Sequence, residues 1–117
     1  MVKVVRVLVA LEWRTYREAI ARALHYRRPQ AAVNVSDPEE LDSEMDRLEP
    51  HVVICSQSTQ QVRDGALCWV KMLIVGEELR AVVSVRGLPS TIVPNIHFAE
   101  LAALIDRAEV LSKADHQ

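Results

Sequence analysis

Three short apolar runs separated by segments of helical length constrain the fold of this chain more than any other feature. The runs are residues 4–11, 32–35 and 51–55. The first and third are rich in Val and nearly continuous, as in strands that are buried on both faces of a parallel sheet. The segments between the runs are long enough for crossover helices. We therefore predict a one-domain α/β protein with a parallel sheet and right-handed connections.

The two crossover segments carry helix signals. Residues 15–26 have apolar side chains at helical spacing, and Pro29 ends that stretch. At the second helix, Asp37 is a candidate N-cap, Pro38 suits the first helical position, and Glu40 completes a capping box. We therefore expect the second helix to begin at Pro38.

The second half of the chain predicts a reversal of the sheet. Apolar runs at 69–75 and 81–85 are separated by five residues only, which cannot supply the crossover that a parallel pair requires. We expect these two runs to be antiparallel and a second reversal to lead to a last strand at 91–93. An antiparallel hairpin around 81–93 then replaces the fourth crossover helix.

The remaining elements complete a single domain over residues 1–111. Ser58 or Thr59 can cap a short helix after the third strand, and an apolar stripe predicts a final helix at 98–111. Residues 112–117 are expected to form a disordered tail.

The first half of the chain resembles the receiver domains of two-component response regulators. Residues 50–56, Pro-His-Val-Val-Ile-Cys-Ser, are similar to the receivers' Pro-Asp-Val-Val-Leu-Leu-Asp strand, whose last Asp accepts phosphate. Residues 6–20 are similar to the first receiver strand, acidic pair and helix, and the last strand and helix match moderately. The resemblance implies a three-layer, doubly wound, flavodoxin-like domain with a mostly parallel sheet.

The resemblance also implies a phosphorylation pocket, most of whose parts are missing here. Ser56 offers a neutral hydroxyl in place of the phosphoacceptor carboxylate. Of the acidic pair only Glu12 remains, because Leu11 offers no ligand for magnesium. Pro94 takes the place of the family's Lys. We interpret these four residues as a vestigial pocket in a pseudo-receiver that is not an enzyme and has no cofactor.

Two functions follow from this interpretation. One is a signalling or protein-interaction module that acts through surface contacts, with an unknown protein partner or as a homodimer. The alternative is a small-ligand sensor at the carboxyl ends of the strands, where Glu12, Trp13, Ser56 and Gln57 should converge.

Composition argues against several other classes of function. The formal net charge of −2 gives no overall attraction to nucleic acid. No apolar run approaches the ~20 residues of a membrane span, and we expect a cytoplasmic protein. Two cysteines and four histidines form neither a CxxC pair nor an HxxxH motif, so no metal site is predicted. Three scattered glycines exclude a glycine-rich phosphate loop.

Overall fold

A mixed six-stranded sheet with helices on both faces forms the domain. The computed structural model describes residues 4–114. The strands are β1 (Arg6–Ala10), β2 (Ala32–Val35), β3 (Val52–Cys55), β4 (Cys68–Val75), β5 (Glu78–Val85) and β6 (Thr91–Pro94). The helices are α1 (Arg14–Arg27), α2 (Leu41–Leu48), α3 (Gln60–Gly65) and α4 (Phe98–Ala114), and a 3₁₀ turn over Pro38–Glu40 precedes α2.

The sheet has a parallel core and an antiparallel side. Its strand order is β2-β1-β3-β4-β5-β6. β1 pairs in parallel with β2 and β3, and β3 pairs in parallel with β4. β4 and β5 are antiparallel, as are β5 and β6. This order confirms the predicted α/β fold with a mostly parallel sheet and an antiparallel hairpin in place of the fourth crossover helix.

A two-residue turn joins β4 to β5. Val75 pairs with Glu78, so Gly76 and Glu77 alone make the connection. Gly76 has a φ of 65°, whereas Glu77 is not among the residues of positive φ. A positive φ at the first central position only is the pattern of a type II′ turn, whose twist matches that of antiparallel strands. The turn is tighter than predicted, and β5 therefore begins three residues earlier than residue 81.

Side chains on the two faces of the sheet belong to separate apolar clusters. The first cluster lies between the sheet and helices α1 and α4, and includes Val9, Ile54, Met72, Ala81 and Ile105. The second lies under α2 and α3, and its buried members on the sheet are Leu8, Ala10, Val53 and Cys55. β5 and β6 contribute no residue to the second cluster.

One face of β4, β5 and β6 is consequently left without a helix. We call it the open face, and it consists of the side chains that alternate toward the side of the second cluster. Its members are Trp69, Lys71, Leu73 and Val75 of β4, Glu78, Arg80, Val82 and Ser84 of β5, and Ile92 and Pro94 of β6. Ile92 is 69% exposed and Val75 is 49% exposed.

The last helix is longer than predicted. α4 continues through Ala114, and the side chain of Ser112 is buried. The predicted disordered tail is therefore helical over 112–114, because the apolar stripe of α4 keeps its contact with the first cluster through Leu111. Residues 115–117 of that tail lie outside the described residues. No helix within the described 4–114 segment is long and apolar enough to cross a membrane.

The type II′ turn predicts a local stability effect. Gly76→Ala should lower the free energy of unfolding by about 1–2 kcal/mol, because a Cβ strains the positive-φ backbone. No atom lies within 4 Å of that Cβ, so the effect is conformational rather than steric. Urea unfolding measures it, with Glu77→Ala as the control that should change stability by less than about 0.5 kcal/mol. Equal effects of the two substitutions would contradict the turn assignment.

Candidate functional site

Two side-chain positions of the predicted pocket meet at the carboxyl ends of β1 and β3. Ala10 pairs with Cys55 at the ends of these strands, which places Glu12 and Ser56 next to each other. The backbone N–H of Glu12 donates a hydrogen bond of 2.9 Å to Oγ of Ser56. Ser56 is only 6% exposed. Its hydroxyl therefore links the two strand ends and satisfies a backbone donor.

The neighbouring predicted residues divide between core and surface. Leu11 is fully buried in the first cluster. Glu12 and Gln57 are exposed, and Trp13 is half-buried with its ring 6.3 Å from the ring of Tyr16 in an edge-on arrangement. The segment after β1 thus has an exposed carboxylate followed by a half-buried indole. Over the described part of the chain, no group of three potential metal-ligating side chains comes together.

Pro94 lies away from this edge. It ends β6 and pairs with Arg80 of β5. In the strand order, β4 and β5 separate β6 from β3, a lateral distance of about 14 Å at the usual strand spacing. The structure therefore brings Leu11, Glu12 and Ser56 together and leaves Pro94 apart, because β5 is inserted before the last strand.

Arg17 is a site residue that the sequence reasoning missed. Its side chain is 9% exposed, and Nη1 donates to the carbonyl oxygens of Leu11 at 3.3 Å and Ser36 at 2.9 Å. The same nitrogen lies 3.0 Å from Oδ1 of Asp37. Arg17 thereby ties the carboxyl ends of β1 and β2 together. The sequence signal for its burial was its spacing: Arg17 precedes the buried Ile20 by three residues and the buried Leu24 by seven, which places all three side chains on one face of α1.

The predicted capping box at the second helix is wrong. Asp37 makes no side-chain capping bond and accepts a hydrogen bond from Arg17 instead. Pro38–Glu40 form a 3₁₀ turn, and α2 begins only at Leu41. The buried guanidinium takes the carboxylate because it provides a charge-assisted bond. By contrast, Thr59 does cap α3, accepting from the backbone N–H of Val62 at 3.2 Å.

One surface cavity lies beside Arg17 and Asp37, and another lies at the opposite edge of the sheet, where β5 ends. A polar cavity of about 340 Å³ is lined by Arg14, Arg17, Glu18, Val35, Ser36, Asp37 and Glu40. A mainly apolar one of about 440 Å³ lies between α4 and the β5–β6 turn, and is lined by Val85, Arg86, Gly87, Leu88, Asp106, Arg107, Val110 and Leu111. None of Glu12, Trp13, Ser56 and Gln57 lines either cavity.

The two cysteines are not poised for chemistry. Burial raises the pKa of Cys55 to about 12 and that of Cys68 to about 11. The thiol of Cys55 donates to the carbonyl oxygen of Val70 at 3.4 Å. A thiol must lose its proton to act as a nucleophile. At neutral pH both side chains therefore act as small buried groups.

The open face has a single uncompensated charge. Lys71 lies on β4 between Trp69 and Leu73, is half-buried, and makes no hydrogen bond or ion pair with any residue of 4–114. The other two charged groups of the face, Arg80 and Glu78, are paired at 3.2 Å. The face is therefore apolar around an unpaired ammonium group.

Comparisons with known proteins give no significant match to a family model, a curated protein or a solved structure.

The contacts of Arg17 predict a large stability effect. Arg17→Met should lower the free energy of unfolding by about 3 kcal/mol, since it leaves two carbonyl groups and a carboxylate without their shared cationic donor. The matched control is Arg22→Met, at an exposed position of the same helix, which should change stability by less than about 0.5 kcal/mol. Chemical denaturation measures both. Similar losses for the two variants would contradict the bridging role of Arg17.

Proposed function

We propose that this protein is a receiver-like signalling or interaction module that works through protein contacts and does not accept phosphate. The observation that carries the proposal is the open face of β4, β5 and β6. Exposed Ile92 and Val75, with the half-buried Leu73 and Val82 between them, form a contiguous apolar area on this face. Contiguous exposed apolar area of this kind is typical of sites where proteins associate.

The residues at the carboxyl edge of the sheet support the part of the proposal that concerns phosphate, namely that the protein does not accept it. Ser56 has no carboxylate, and its hydroxyl is already engaged by the N–H of Glu12. Glu12 supplies an acidic side chain beside it, and Pro94 lies three strands away. A phosphoaspartate and its magnesium ion need an attacking carboxylate, at least one further acidic ligand and a nearby cation. The resemblance to receiver domains therefore supports a scaffold in common with them, which this protein uses for protein contacts and not for phosphorylation.

The occupant that we propose for the open face is a different protein. The open face carries two cationic side chains, Lys71 and Arg80, and one carboxylate, Glu78. Two copies that stacked their open faces would therefore bring together a net charge of about +2 in a dry interface. Burying like charges without partners is unfavourable by several kcal/mol. A partner with acidic side chains would instead neutralise the positive charge of the open face by forming an ion pair with Lys71.

The alternative prediction, a small-ligand sensor at Glu12, Trp13 and Ser56, has less support. Ser56 is buried and engaged in a hydrogen bond, and neither of the two cavities described above includes these residues. It stays a prediction that Trp13 fluorescence in the presence of candidate metabolites can address.

Disruption of the open face should remove partner binding. Val82 lies opposite Lys71 at the centre of the face, and Val82→Asp places a charge in the proposed contact. We expect proteins that co-purify with the wild-type chain from native cells to be lost with this variant. The matched control, Ala103→Asp, adds the same charge at an exposed position of α4 and should retain them. Quantitative mass spectrometry of cross-linked complexes provides the measurement.

Two results would contradict the proposal. One is a set of binding proteins that Val82→Asp and Ala103→Asp retain equally. The other is sedimentation showing a wild-type dimer that Val82→Asp dissociates, because the open face would then be an interface between two copies.

A further inference from the structure

We propose that the open face binds one amphipathic helix of the partner protein, and that this helix brings a carboxylate to Lys71. The inference rests on the proposed function and adds the chemistry of the partner. It follows from the dimensions of the face, from the packing on its reverse side and from the position of the unpaired charge.

The dimensions of the open face suit a single helix. β4 and β5 each have eight residues, a length of about 26 Å at the usual rise of a strand. A helix of about 17 residues has the same length. The outer two of three strands are about 10 Å apart, close to the diameter of a helix. One helix covers the face, and a second has no room beside it.

The opposite face of the sheet is already covered by a helix of this length. α4 has 17 residues, and its Leu101 and Ile105 belong to the same buried cluster as Met72 of β4 and Ala81 of β5. A helix on the open face would complete the third layer over the antiparallel side of the sheet. α2 and α3 provide that layer over β1 and β3 and reach β4 only at Trp69, near its start. The fold therefore lacks one helix at this place, and a partner can supply it.

The charge of Lys71 determines one residue of the partner. The side chain stands between Trp69 and Leu73 along β4 and opposite Val82 on β5. A purely apolar helix would bury the ammonium group without a partner, which is strongly unfavourable. A Glu or Asp in the middle of the apolar stripe instead forms an ion pair in a partly dry environment. The partner is thus an amphipathic helix with an acidic residue at the centre of its apolar side.

A pair of peptide series tests this inference on the full chain. Each series contains stapled 17-residue helices with Leu, Ile, Phe or Met on the apolar stripe, and the two series differ only in Glu or Lys at the central position. Fluorescence anisotropy measures binding. We expect the best Glu peptide to bind at least about 10-fold more tightly than its Lys counterpart, the scale of a close interfacial ion pair.

Substitutions of Lys71 test whether its charge causes the preference for the Glu peptide. Lys71→Glu should invert the preference so that the Lys peptide binds more tightly, and Lys71→Gln should abolish it. The matched control is Lys113→Glu, which makes the same change at an exposed position of α4 and should leave the preference intact. Circular dichroism establishes that each variant is folded, and Lys71→Gln serves if the charge reversal does not fold.

The outcomes separate this inference from the proposed function. No binding by either series, equal binding by both, or a preference that Lys71→Gln leaves unchanged overturns the helix inference. If natural partners are nevertheless lost with Val82→Asp, the interaction function stands with a partner of different shape. If natural partners are retained with Val82→Asp, the proposed function itself fails, whatever the peptides do.

Discussion

The two-residue connection between β4 and β5 is the constraint on which the rest of this structure depends. Gly76 and Glu77 leave no length for a crossover, so the chain must reverse and β5 must pair antiparallel along the whole of β4. That pairing moves β6 one strand farther from β3 and separates Pro94 from Ser56. It also removes the helix that a crossover would have laid over the sheet. The open face and the dispersed pocket have this common cause.

Side chains at the carboxyl edge are used to hold strand ends together. Arg17 connects the ends of β1 and β2 through two backbone carbonyls, and Ser56 connects β3 to the segment after β1 through the N–H of Glu12. Each bond satisfies a backbone group where the ladder of the sheet has ended. Ser56 and Arg17 are therefore engaged in structural hydrogen bonds at this edge.

Sequence alone predicted the elements that local pattern and connection length determine. The parallel core follows from buried runs with helix-length crossovers, and the antiparallel hairpin follows from the short segment after residue 75. Contacts between residues far apart in the sequence could not be predicted from local patterns. Asp37 looked like a helix cap because Pro38 and Glu40 fit the pattern, yet Arg17, twenty residues earlier, takes its carboxylate. The surroundings of Lys71 likewise depend on which strands a helix covers, and no local sequence pattern predicts that coverage.

The central claim is that the face of β4, β5 and β6 opposite α4 is open to solvent and available for a partner. Methyl NMR with a soluble gadolinium reagent tests it most directly, at a concentration where sedimentation shows a monomer. The methyl signals of Ile92 and Val82 should lose intensity strongly, whereas that of Ile105, which is 1% exposed on the buried side of α4, should keep its intensity. Protection of Ile92 and Val82 equal to that of Ile105 in the monomer would contradict the claim, because the chain would then cover this face itself.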